Sequence, residues 1–76
     1  MKAYILVKIR SGEVKAVVHE MRKLPSIRSA EMTFGPYDAI AIAEASDLGE
    51  LGQLVASKIQ PIPGVEQTLT CLAVEV

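Results

Sequence analysis

Few residues in this 76-residue chain are of a type and in a setting to do chemistry. Gly35-Pro36-Tyr37-Asp38 sets a carboxylate beside a phenol, directly after a turn-forming pair. Asp38 could receive a ligand ammonium through a charge-assisted hydrogen bond. Equally, Gly35 and Pro36 could simply turn the chain while Asp38 bonds nearby amides. Thr68 and Thr70 flank Leu69, so their hydroxyls share one face of any strand and could line a pocket. Threonine is also a good strand former, which would explain both without a ligand. The single His19 has no histidine or cysteine near it and reads as a solvated helix residue. The lone Cys71 can form no internal disulfide, and no Cys-x-x-Cys metallochaperone motif is present. The chain lacks Asn, which counts against an acylphosphatase-like site built from Arg and Asn. Arg10-Ser11-Gly12 is too short a signal for a phosphate loop. The residues themselves predict no cofactor and no metal.

Two similar half-sequences must position these groups. Lys23-Leu24-Pro25-Ser26-Ile27 is echoed half a chain length later by Pro61-Ile62-Pro63-Gly64-Val65. An apolar, strand-like run and a stretch of helical periodicity precede each copy. Ala3 to Ile9 reads as a strand with Ile5, Val7 and Ile9 on one face and Tyr4 and Leu6 on the other. Ser11 or Gly12 should cap the helix that follows. From Glu13 to Leu24, Val14, Val17, Val18 and Met21 fall on one helical stripe, and Pro25 ends it.

Ile27 to Phe34 reads as a peripheral strand, with Ala30, Met32 and Phe34 opposite Ser29, Glu31 and Thr33. After Gly35-Pro36, Tyr37 to Ala45 forms its hairpin partner. There Ile40 and Ile42 oppose a row of alanines at 39, 41, 43 and 45. Asp47 and Glu50 are spaced as a capping box, opening a helix with Leu48, Leu51, Val55 and Ile59 inward. Gly52 on that stripe would allow close packing on the alanines. Val65 to Val76 is the last strand. The order β-α-β-β-α-β predicts a ferredoxin-like α+β sandwich, one domain over residues 1–76. Right-handed crossovers place the first and third strands centrally, and we expect them parallel.

Length allows one domain, and a domain of this size buries only about 60% of its unfolded surface. Half of the residues are hydrophobic but only 4% aromatic, so the core is aliphatic. Net charge is −1 with acids and bases interleaved, which disfavours direct nucleic-acid binding. No signal peptide or membrane span is legible, and a cytoplasmic location fits the cysteine usage. The central strands are apolar on both faces, yet two helices can cover only one. The bare face implies a homodimer, sheets stacked face to face or joined at their edges.

Gly35, Tyr37 and Asp38, then Pro63-Gly64-Val65 with Thr68 and Thr70, resemble the C-terminal effector domain of the Lrp/AsnC transcription regulators. Gly12 and Leu24-Pro25 fit the same pattern, so the resemblance covers essentially the whole chain. Regulators of that family carry an N-terminal helix-turn-helix, whereas this chain opens on the first strand and resembles their stand-alone effector modules, the RAM domains. The resemblance implies a sheet-to-sheet dimer, higher oligomers, and an amino-acid effector held between dimers by the hairpin turn and adjacent strand ends. It assigns ligand binding to Gly35, Tyr37 and Asp38 first, and to Thr68 and Thr70 second. It also implies co-assembly with full-length relatives. Two alternatives stand beside this non-enzymatic reading. One is a dimeric ferredoxin-like barrel enzyme of monooxygenase or isomerase type, using His19, Tyr4 and Tyr37. The other is a purely structural oligomerisation domain.

Overall fold

The computed structural model describes residues 1–76. Its elements are β1 (Lys2–Ile9), α1 (Val14–Arg22), β2 (Ile27–Met32), β3 (Ala39–Glu44), α2 (Leu48–Gln53) with a π-helical continuation (Leu54–Ile59), and β4 (Val65–Leu72). The sheet order is β2-β3-β1-β4 and every neighbouring pair is antiparallel. This is the expected ferredoxin-like arrangement, with β1 and β3 central. They are antiparallel, not parallel as the crossover argument suggested. A right-handed crossover makes β2 run with β1, and the β2–β3 hairpin then reverses the direction.

Sixteen residues are buried, all apolar, in one cluster between the sheet and the helices. Ala3, Ile5, Val7 and Ile9 of β1 and Ala39, Ala41 and Ala43 of β3 face this layer. α1 contributes Val17, Val18 and Met21. The alternation of β3 is as expected, Ile40 and Ile42 lying half-buried on the other face.

Four local expectations are corrected. Neither Ser11 nor Gly12 caps α1: Glu13 holds the N-cap position without a side-chain cap, after a turn closed by its N–H on the Arg10 carbonyl at 3.0 Å. β2 is shorter than expected and its register with β3 shifts between Ile27 and Ser29. The bulge brings Ile27 and Ala30 inward, while Met32 stays 51% exposed and Phe34 lies beyond the strand in solvent. In the second helix Leu48 is 64% exposed, and Leu51, Leu54 and Ile59 make the buried stripe. The π segment accounts for the spacing of Leu54 and Ile59, since i→i+5 bonding such as Gln60 N–H to the Val55 carbonyl (2.9 Å) lengthens the repeat. Leu48 is exposed as the first helical residue. Gly52 is exposed and a Cβ there would meet nothing within 4 Å, so no close approach requires a glycine. Finally, β4 ends at Leu72 instead of Val76.

Candidate functional site

The hairpin between β2 and β3 is held from within. Thr33 donates its N–H to the Asp38 carbonyl (3.0 Å) and its Oγ1–H to the Tyr37 carbonyl (2.9 Å). Asp38 then ties the loop to β1: its N–H reaches the Val7 carbonyl at 2.9 Å, and its Oδ2 accepts the Ile9 N–H at 2.7 Å. The carboxylate thus replaces a backbone acceptor just where β3 ceases to pair with β1. Oδ2 alone is hydrogen-bonded, and no buried side-chain oxygen lacks a partner, so Oδ1 is not sealed from solvent. Lys8 crosses from β1 to the turn, its Nζ donating to the Pro36 carbonyl at 3.1 Å.

Around this frame lies a depression of about 200 Å³, lined by Leu6, Ile40, Thr33, Phe34, Gly35, Pro36 and Tyr37. Leu6 and Ile40 are direct cross-strand partners on the face that the helices leave open. That face continues as Tyr4, Ile42, Leu69 and Cys71, with the Lys2 ammonium 5.1 Å from the Tyr4 ring centre. Tyr4, Leu69 and Cys71 are all exposed on it.

The hairpin therefore brings Gly35, Tyr37 and Asp38 together, while Thr68 and Thr70 lie elsewhere. They pair with Val7 and Ile5, whose side chains face the helices, so both hydroxyls are on the helix-covered side. Thr68 Oγ1 accepts from Gln60 Nε2 at 3.0 Å. Within one chain the sheet separates the threonines from the depression. Sequence reasoning passed over Leu6, Lys8, Thr33 and Ile40. Lys8 did leave a signal, as the cation interrupting an apolar strand level with the turn.

The barrel-enzyme alternative requires His19 in an enclosed space between sheet and helices. His19 is exposed, and that space is filled with apolar side chains. No three His, Cys, Asp or Glu side chains lie together in a metal-binding group. No helix is long and apolar enough to cross a membrane. One carboxylate is shifted: the Lys23 ammonium hydrogen-bonded to Glu20 (2.8 Å) lowers its pKa, on the outside of α1 and far in sequence from the hairpin.

The family model for the Lrp/AsnC ligand binding domain matches residues 2–76. The HTH-type transcriptional regulator FL11 of Pyrococcus horikoshii is 33% identical over 75 residues, which cover 99% of this chain and 49% of the regulator. The chain spans about half, or less, of the curated relatives it matches. The crystal structure of TTHA0845 from Thermus thermophilus is 32% identical with a TM-score of 0.94, covering 99% of this chain and 94% of that one. The Neisseria meningitidis regulator NMB0573, solved as an L-Met complex, shares the fold at 21% identity, with a TM-score of 0.88 over 97% of this chain and 49% of that one.

Proposed function

The chain belongs to the Lrp/AsnC ligand-binding domain family, and from that premise we propose that it is an oligomer-forming regulatory module whose effector is an amino acid. What supports this reading is the hairpin depression together with two opposite charges outside its lining, Asp38 and Lys8, each hydrogen-bonded to backbone beside it. The open oxygen of Asp38 offers an acceptor for an ammonium. Lys8, already drawn to the Pro36 carbonyl, offers a donor for a carboxylate. Tyr37, Leu6 and Ile40 wall the space between for an apolar side chain, and Gly35 leaves the turn backbone accessible.

The apolar open face supports the oligomeric part. A second sheet stacked on Tyr4, Leu6, Ile42 and Leu69 would cover them and bring the hairpin depression to the rim of the interface. Thr68 and Thr70, on the far side of the sheet, would meet a ligand only through a further copy. Both helices pack on the sheet, so none of these residues forms a helix-turn-helix. The module acts on transcription by co-assembling with full-length relatives in the cytoplasm.

Thermal-shift measurements against the twenty amino acids test the site, beginning with L-methionine because NMB0573 was solved with it. We expect at least one to raise Tm, with Asp38→Asn losing that rise while folding normally. Asparagine keeps an oxygen for the Ile9 N–H and replaces the second, charged acceptor with an amide donor. Absence of any rise, or an equal rise in the variant, overturns the assignment.

A further inference from the structure

We propose that the outer face of α1 and the end of β2 form a second binding site, for a small molecule bearing a phosphate group. Lys15, His19 and Arg22 stand at i, i+4 and i+7 and so share one face of the helix. With Val18 and Met32 they line a cavity of about 290 Å³ that contains no carboxylate. None of the three is ion-paired, since the two salt bridges join Arg10 to Glu13 and Lys23 to Glu20. Glu20, next in sequence to His19, is held by Lys23 at 2.8 Å. Glu31 of β2 pairs with Ile40 and so faces the open side of the sheet. In a chain of net charge −1 with interleaved signs, Lys15 and Arg22 have no carboxylate partner here.

A row of free surface lysines would read as a solvated helix face. Two features separate this site from that reading. Arg22 is anchored, its Nε donating to the Ala30 carbonyl at 2.8 Å, while neither terminal nitrogen is hydrogen-bonded within the chain. Met32, 51% exposed at the strand end, gives the cavity an apolar wall opposite the charges. An anchored guanidinium flanked by two further donors suits a tetrahedral, multiply charged acceptor better than a single carboxylate. The apolar wall suits an ester carbon next to it. The site lies on the helix layer and is independent of the hairpin reading.

Amide NMR titration of the 76-residue chain with inorganic phosphate, at ionic strength held constant with chloride, tests the proposal. Saturable shifts should appear at Lys15 to Arg22 and at Met32. Lys15→Gln, on an exposed residue with no structural bond, should weaken binding by about tenfold through loss of one charged hydrogen-bond donor. Tighter binding of butyl phosphate than of inorganic phosphate identifies a monoester as the ligand class, and equal binding identifies free phosphate. Shifts that follow ionic strength alone, or a Lys15→Gln protein that binds as well as the parent, overturn the site.

Discussion

The two crossovers of this molecule begin alike and diverge at one residue. Both helices end in a buried anchor, Met21 in the first and Ile59 in the second. In each, the residue three further on returns an N–H to that anchor's carbonyl, Leu24 to Met21 at 3.1 Å and Ile62 to Ile59 at 3.0 Å. Each then makes a four-residue turn with proline second, closed by Ile27 N–H to the Leu24 carbonyl (3.0 Å) and Val65 N–H to the Ile62 carbonyl (3.1 Å). The third residue differs. Ser26 has a negative φ, as a type I turn allows, whereas Gly64 has φ +102°, as a type II turn requires. Gly64 also packs where no side chain fits: a Cβ there would lie 2.8 Å from Glu13 Cβ. Its carbonyl accepts the Arg10 N–H at 2.8 Å, binding the second crossover to the start of the first. A repeated motif thus fixes topology twice, while a single glycine decides which copy locks the halves together.

The largest effect should come from breaking that asymmetry. Gly64→Ala forces an L-residue into left-handed backbone and against the base of Glu13, at a cost of about 3 kcal/mol. Ser26→Ala at the equivalent turn should cost under ~0.5 kcal/mol. Urea unfolding at matched protein concentration measures both, and similar losses would mean the turns are equivalent after all.

The helix starts extend the comparison on a smaller scale. Asp47 caps α2 by accepting the Glu50 N–H at 2.8 Å, so Asp47→Ala should lose about 1 kcal/mol. Glu13, which caps nothing with its side chain, should lose less than ~0.5 kcal/mol as alanine. A larger loss at Glu13 than at Asp47 would contradict the capping assignment.

The smallest effect belongs to Glu20. Its lowered pKa means the pairing with Lys23 contributes above the ordinary carboxylate range and is lost as pH falls through the folded-state value. The pair is solvent-screened, so that contribution is small, and Glu20→Gln should leave the urea midpoint nearly unchanged at neutral pH and unchanged in acid. A midpoint that drops at neutral pH and rejoins the parent in acid would show the pair to be structural.

Much of this architecture is readable in the residues. Val17, Val18 and Met21 mark the buried side of α1 by periodicity alone, the alternating alanines mark the inward side of β3, and Asp47 marks a helix start. What stays hidden depends on registers that arise only between elements. The bulge at Arg28 leaves no trace in the pattern of β2, and the π continuation looks in sequence like an ordinary helix with Leu48 inward. Thr68 and Thr70 do share a face, but the sequence does not say which. The pairing with Val7 and Ile5 decides it. Asp38 reads in sequence as either an amide partner or a ligand acceptor, and the structure shows the first part, its Oδ2 on the Ile9 N–H.

The contact between Arg22 and Ala30 also bears on how the sheet can grow. β2 and β4 are the two outer strands, each with a break in register against its neighbour, and only β2 carries an arginine seated on one of its carbonyls. An unguarded strand edge invites another chain, and such devices turn one away. Two copies joined along β4 would present a guarded β2 at both outer margins. In that arrangement the seated arginine would oppose further edge pairing at β2.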